Sequence, residues 1–490
     1  MSGPGDDSVR AGDAGGDEVR RKNLLLVVCD QLRADYLGCY GHPSIGTKHI
    51  DALAKEGVRF ESCYCAAPLC GPSRISLVTS TYVGEHGHRN YGSTISPDVP
   101  NLVTSIKRAG YRTGMFGKNH MFTYSRLGEV WDELDEICLG NYDEHPSYEH
   151  SFSAFPLEQD HPYNITGRLT DEAIDFMHRA DRPFFAMVNY QDPHPAYTCP
   201  RPYATLFDPD SVELPDTYYD RERQPVRNEV WRVHSEMSLC TERDMKKAIA
   251  TYMGQIRYVD DCVGRLYQFL ATESLLDDTL VVFMSDHGEL LGSFGMTHKI
   301  PVFYEPLVRI PVIMRFPGGL GAGSSCPGLV EEVDLAPTIL AALEIDVPRS
   351  MVGQSVYRDI LDGSVPGRTS ALVEAGGGGP TCSVPVEGLR LKAPFLPTSL
   401  GPGAMVRTGD WKLCQYSDDL CQMFNLAEDP GERNNLYDDE RYAGIRWKLT
   451  LLLLNRLLTV KNRDMGYERW PKSVEPGRDL RFEPLEGHGR

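Results

Sequence analysis

The sequence has no CxxC pair, and its thirteen cysteines are scattered and odd in number. In a chain of 490 residues that pattern argues against a disulfide framework, and a reducing compartment is the simpler setting. Basic residues are in short supply: 50 Lys and Arg against 69 Asp and Glu give a net charge of −19. That balance excludes a general polyanion binder, because affinity for a phosphate backbone comes mainly from Lys and Arg. A small anion needs only a local cationic pocket, so an anionic substrate stays open. No apolar run is long enough to span a bilayer: Leu24 to Val28 is too short, and the run at Leu451 to Leu454 breaks at Asn455 and Arg456. The N-terminal stretch is rich in Gly and Asp and has no apolar signal region. The expectation is a cytoplasmic protein with no membrane or nucleic-acid partner. There is no internal repeat and no low-complexity block beyond the first 20 residues.

What is present is an ordinary globular composition, 41% hydrophobic and 24% charged, on a chain long enough for one large domain and a smaller one. Residues 1–20 read as a disordered tail. Apolar strands ("NLLLVVCD", "YRTGMF", "PFFAMVNY", "TLVVFMSD", "RIPVIM") alternate with helices, among them "HIDALAKEG", "NLVTSIKRAG" and "VDLAPTILAAL". "TDEAIDFMHRA" reads as a helix capped by Thr170, and a long amphipathic helix is expected from about Arg243 to Glu273. This alternation predicts an α/β fold, a large mainly parallel sheet flanked by helices, over residues 21–375. The Gly- and Pro-rich stretch from Gly376 to Gly403 marks a boundary. A smaller C-terminal α+β subdomain with an antiparallel sheet is expected over 376–490, closing on a helix from about Glu440 to Val460.

In open α/β sheets ligands collect beyond the carboxyl ends of the strands. Two apolar strands end in polar pairs there, Asp30-Gln31 and Asp286-His287. Either pair alone could merely cap a loop. Together they offer two carboxylates, an amide oxygen and an imidazole. Such an oxygen-rich set favours Ca²⁺, Mg²⁺ or Mn²⁺, and the imidazole tilts it towards Mn²⁺ or Zn²⁺. In "CGPSRISLVTS", Pro72 and Ser73 suit the first positions of a helix, with Cys70 just ahead of its N-terminus and Arg74 adding a positive charge. A buried free cysteine is the bland reading of Cys70. His86, His88 and His298 read as loop or surface residues, Cys63 and Cys65 as packing, and Glu305 as a structural partner of Arg309.

Cys-x-Pro-Ser-Arg, with "NLLLVVCDQLRADYLGCYG", "GYRTGMFGKNH", "PFFAMVNYQDPHP", "VVFMSDHGELLG" and "DWKL…MFNLAEDPGERNNL", resembles the sulfatases of the alkaline phosphatase superfamily along nearly the whole chain. The resemblance implies an alkaline-phosphatase-like sheet and a sulfuric ester hydrolase acting on aryl, alkyl or carbohydrate sulfates. It implies that Cys70 is converted by a formylglycine-generating enzyme to 3-oxoalanine, whose hydrated aldehyde attacks sulfur. Asp30, Gln31, Asp286, His287 and the modified Cys70 would then hold one divalent cation, Ca²⁺ first, with Mn²⁺ or Mg²⁺ as alternatives. Arg74, Lys118, His120, His194 and Lys299 would be catalytic, with Lys118, His194 and Lys299 also holding the substrate.

The chain departs from many sulfatases, which carry Asp-Asp where it has Asp30-Gln31 and Asp-Asn where it has Asp286-His287. The Gln and His version resembles choline sulfatases and the phosphonate monoester hydrolases, so a phosphonate monoester or phosphodiester hydrolase is the alternative. Lys118 and His120 favour the sulfatase side.

Overall fold

The computed structural model describes residues 21–90, 94–137, 145–158, 164–377, 385–386, 389–390, 400–417 and 419–461. The tail expected over 1–20 and most of the Gly- and Pro-rich stretch lie outside these residues. The strands, in chain order, are β1 (Asn23–Cys29), β2 (Val58–Tyr64), β3 (Arg112–Gly117), β4 (Glu133–Glu136), β5 (Ala154–Leu157), β6 (Phe184–Tyr190), β7 (Tyr197–Pro200) and β8 (Thr279–Ser285). They continue with β9 (Arg309–Arg315), β10 (Ser324–Glu331), β11 (Ala371–Ala375), β12 (Pro385–Val386), β13 (Leu389–Arg390), β14 (Gly403–Thr408), β15 (Trp411–Tyr416) and β16 (Gln422–Asn425).

Eight of them form one sheet in the order β10-β2-β9-β8-β1-β6-β3-β4. Its pairings are parallel except those of β9, which runs antiparallel to both β2 and β8. The expected α/β fold with a mainly parallel sheet is therefore present. β1 explains why. Leu24, Leu26 and Val28 enter the apolar cluster that includes Ile75, Leu77 and Val78 of the helix Cys70–Thr79. Leu25, Val27 and Cys29 enter the opposite cluster, with Ile249, Tyr252, Ile256 and Val259 of the helix Glu242–Thr272. A strand apolar on both faces has to be covered on both faces.

Register decides where the strand ends fall. Cys29 pairs with Tyr190 on one side and with Ser285 on the other, and Gly117 pairs with Asn189. Four neighbouring strands, β8, β1, β6 and β3, thus stop nearly level, and the residues after them share one rim. Gly117 has φ of 117°, and a Cβ there would run into the Asn189 carbonyl, so this exit from β3 requires glycine.

The smaller antiparallel sheet runs β11-β14-β15-β16, and its first strand, Ala371–Ala375, precedes the Gly- and Pro-rich stretch. The C-terminal helix spans Ala443–Lys461, and the long helix starts at a Thr241–Asp244 capping box. Thr170 does not cap its helix. That helix starts at Ile165, and the Thr170 hydroxyl instead donates to the Thr166 carbonyl one turn back, 2.7 Å away. No helix among the described residues is long and apolar enough to cross a membrane.

The two sheets are joined by a buried charge cluster. Lys412 of β15, fully buried, lies 3.0 Å from Glu305 and 2.7 Å from Glu432. This corrects the expected Glu305–Arg309 pair: Arg309 donates to the Glu61 carbonyl at 2.9 Å. The fully buried Lys412 ammonium needs carboxylates around it, and Glu305 turns to it together with Glu432. Lys412→Met should therefore cost about 3–5 kcal/mol of stability by leaving the buried Glu432 and the part-buried Glu305 without their shared counter-charge. Urea unfolding of the variant beside the wild type measures this, and an unchanged midpoint would contradict it.

Candidate active site

The rim of β8, β1, β6 and β3 gathers every residue singled out at strand ends. Asp30, Cys70, Asp286 and His287 are all buried, and each offers a ligand atom within 4.8 Å of the others. The Cys70 thiol lies 3.5 Å from Asp30 Oδ1 and 3.2 Å from His287 Nε2. His287 is held by its other nitrogen, with Nδ1 2.9 Å from the Gly288 carbonyl. Nδ1–H donation there leaves Nε2 facing the cluster, the arrangement that suits a ligating imidazole. Gly288 sits so close to the Pro306 carbonyl that a Cβ would collide with it.

The second member of the first pair, Gln31, adopts φ of 68°, in the left-handed region. Its carbonyl accepts the Tyr252 hydroxyl at 2.7 Å, and its N–H donates to Asp286 Oδ1 at 3.1 Å. Its side-chain oxygen accepts from Lys299. Two carboxylates, an amide oxygen, an imidazole and residue 70 thus converge, a donor set that fits one hard or borderline divalent cation.

The helix Cys70–Thr79 starts at Cys70 itself, two residues before the expected start, and all ten of its residues are buried. Residue 70 therefore sits at the positive end of the helix dipole rather than ahead of it. Arg74, one turn on, donates from Nε to Asp286 at 2.8 Å and from Nη1 to Asn189 at 3.1 Å, and its Nη2 lies 3.7 Å from Asp30. Lys118 at the end of β3 is buried and pairs with Asp30. His120 is buried two residues on, and burial together with the Lys118 charge lowers its pKa from the ordinary imidazole value. Past β6, His194 hydrogen-bonds the Pro195 carbonyl through Nδ1.

Electrostatics follow from this crowding. Burial pushes the Asp30 carboxyl up, but Lys118, His194, Lys299 and Arg74 outweigh it and hold the group well below the usual carboxylate range. For Cys70, burial and Asp30 push upward, and Lys118, Lys299 and His287 prevail, holding the thiol well below its ordinary value. Burial works against the Lys299 charge, yet Cys70, Asp30 and Asp286 raise its pKa above the normal lysine value. Burial, then the Lys299 charge, drives His194 well below the imidazole range. Arg74, Lys118 and Lys299 thus surround Asp30 and residue 70 in a protein that is acidic overall.

The sulfatase family model matches residues 22–345, which hold all of these side chains. The chain belongs to the sulfatase family. This sulfatase is 29% identical to an uncharacterized sulfatase, YidJ, of Escherichia coli over 94% of its own length and 92% of that protein's. It is 25% identical to the N-acetylglucosamine-6-O-sulfatase of Bacteroides thetaiotaomicron, covering 91% of this chain and 88% of the relative. Among solved structures, a phosphonate monoester hydrolase of Agrobacterium radiobacter superposes with a TM-score of 0.74 at 25% identity, over 90% of this chain and 96% of that one. The protein is a sulfuric ester hydrolase of the alkaline phosphatase superfamily.

His86, His298, Cys63 and Cys65 of this sulfatase have local structural partners. His86 Nε2 lies 3.0 Å from the Ser76 hydroxyl, His298 Nε2 lies 2.8 Å from the Ser151 carbonyl, and Cys63 and Cys65 pack in the core. Sequence reasoning passed over three residues here. Asn189, the penultimate residue of β6, accepts from Arg74, and Glu289 follows the Asp-His-Gly run. Glu332 is fully buried beneath the Cys70 helix. Position after an apolar strand was an available signal for Glu289, and a polar residue near the end of an apolar strand was one for Asn189. Glu332 carried none, because it follows Glu331 and reads as surface.

The Ser73 hydroxyl lies 2.7 Å from both the Asp286 carbonyl and Glu332 Oε1. It has one proton, and the carbonyl can only accept, so the second bond requires the proton to sit on Glu332. Burial pushes the Glu332 carboxyl up to about 8, which agrees. A raised folded-state pKa means that the native state binds the extra proton. Stability should therefore fall as pH climbs from the unfolded carboxyl value, about 4, towards 8. Glu332→Gln should remove this contribution. Its melting temperature should match the wild type near pH 4 and exceed it progressively up to pH 8, and a constant offset would refute the assignment.

Proposed function

We propose that the enzyme hydrolyses sulfate monoesters with residue 70 as the nucleophilic position and one divalent cation held by Asp30, Gln31, Asp286 and His287. The observation that carries the reading is the placement of Cys70 at a helix N-terminus, inside a ring of oxygen and nitrogen donors and among three cations. Ca²⁺ is the cation we assign first, with Mn²⁺ or Mg²⁺ as alternatives. A bound cation would neutralise sulfate oxygens and the negative charge that grows on them in the transition state. Conversion of Cys70 to formylglycine by a maturation enzyme would supply a hydrated aldehyde, with one hydroxyl to attack sulfur and a second to let the group collapse.

The protein's own residues then divide the work. Arg74 is held by Asp286 through Nε and by Asn189 through Nη1, with Nη2 3.7 Å from Asp30, so its role is to fix the rim and contribute positive charge. Lys118, paired with Asp30, places a second cation beside residue 70, where an anionic group is drawn in and stabilised. Lys299 and His194 donate to neutral carbonyl oxygens rather than to carboxylates. Lys299 keeps its proton and is the donor we assign general acid help, with His194, held neutral, orienting the leaving oxygen through its N–H and His120 supporting residue 70. The alternative, phosphonate monoester hydrolysis, draws on the same machinery and on the phosphonate hydrolase fold match.

Two measurements test this. On enzyme co-expressed with a formylglycine-generating enzyme, with residue 70 checked by peptide mass, kcat/KM on an aryl sulfate should exceed that on an aryl phosphonate monoester. A reversed ratio would transfer the assignment to phosphonates, and Cys70→Ala should abolish both activities. Lys299→Ala should lower kcat by about 10²-fold or more on esters with poor leaving groups and much less on nitrophenyl esters. An equal loss on both would remove the general-acid role.

A further inference from the structure

We propose that Glu289 is a positioning residue that fixes the orientation of the Gln31 amide and supplies, from behind it, the negative charge that the amide lacks. The inference rests on the reading of Gln31 as a cation ligand. Glu289 is fully buried and follows the Asp286-His287-Gly288 run. One of its oxygens, Oε2, accepts from Gln31 Nε2. The other, Oε1, accepts from the Leu291 N–H at 3.0 Å, the Tyr197 hydroxyl at 3.3 Å and the His298 N–H. All four contacts bring donors to the carboxylate, so its two oxygens are held in fixed directions.

The consequence falls on Gln31. The two ends of a carboxamide are nearly identical in shape, and only hydrogen-bond partners decide which way it points. Here one end meets Glu289, an acceptor, and the other meets the Lys299 ammonium, a donor. Only one orientation satisfies both, with the NH₂ on Glu289 and the oxygen towards Lys299, whose ammonium interacts with Asp30 and Asp286. Reversed, the amide would turn N–H groups on an ammonium and on any cation held by Asp30 and Asp286. Main-chain bonds from the Gln31 N–H to Asp286 and from Tyr252 to the Gln31 carbonyl already hold the backbone, leaving the amide rotation as the free variable. A chain with Gln in place of a ligating carboxylate thus keeps the carboxylate one side chain further out, polarising the amide.

The test moves the charge inward by exchange. Ca²⁺ binding is measured by calorimetry on metal-stripped mature enzyme for wild type, Glu289→Gln, Gln31→Glu and the double variant. Glu289→Gln should weaken Ca²⁺ by about 10–100-fold, the usual cost of losing a partner that orients a metal ligand. The double variant restores an amide–carboxylate pair in reverse and should bind within a few-fold of wild type or more tightly. Gln31→Glu alone sets two carboxyl groups face to face sharing a proton, so Ca²⁺ binding should release about one proton more than in wild type, read by titration in two buffers. That single variant decides the matter should Glu289→Gln fail to fold. Wild-type affinity in Glu289→Gln, simple addition of the two single losses in the double variant, or no extra proton from Gln31→Glu would each overturn the proposal. Failure of the wild type to bind Ca²⁺ or Mn²⁺ would instead sink the underlying cation-site reading, and the proposal with it.

Discussion

The Arg74 guanidinium is the member on which the rest of the site depends. From one turn inside the Cys70 helix it reaches Asp286 after β8, Asn189 in β6 and the vicinity of Asp30 after β1. Those are three consecutive strand ends in the sheet order. Arg74 and both carboxylates are fully buried, so each charge is desolvated and survives only by being paired. A lysine could neutralise the same charge, but it has no rigid fork that meets separate acceptors in one plane. The helix that carries residue 70 is thereby registered against the sheet by hydrogen-bond geometry, beyond apolar packing alone.

Helix and sheet would allow other outcomes without that clamp. The Cys70 helix is apolar on several sides, and packing of Ile75, Leu77 and Val78 would tolerate rotation or a slide of part of a turn. Hydrogen bonds do not tolerate such shifts. Ser73 on the same helix adds a second fixed point on the Asp286 carbonyl, so two consecutive residues hold the helix to the end of β8. The thiol of residue 70 is consequently placed within reach of Asp30 and His287 at once.

Much of this was legible in the sequence, for a local reason. An apolar run that stops at Asp-Gln or Asp-His declares both a buried strand and a polar rim, and Cys-x-Pro-Ser-Arg declares a helix start. Strand register brought those ends level without any further signal. What was not legible were partners chosen across long separations. Glu305 takes Lys412, 107 residues away, because the buried ammonium needs a counter-charge, while Arg309, four residues on, turns to a carbonyl. Thr170 looked like a cap because Asp and Glu follow it, yet the helix begins a turn earlier and uses the hydroxyl internally. Glu289 and Glu332 read as ordinary solvated acids, since nothing in a linear pattern announces that a loop will fold inward.

Those last two acids show how donors rather than burial set the chemistry. Both are fully buried near the same cluster. Glu289 is met by two main-chain N–H groups, a hydroxyl and an amide NH₂, all of which donate, so it serves purely as an acceptor. Glu332 is met by one N–H, from Ala66, and by a serine whose only proton is claimed by a carbonyl. It has to carry a proton of its own to complete the chain of bonds. The neutral acid therefore lies beneath the Cys70 helix, where added negative charge would oppose Asp286. The acceptor lies behind Gln31, whose amide carries no charge of its own. Placing donors around one acid and withholding them from the other distributes negative charge around the site without changing which residue types are buried there.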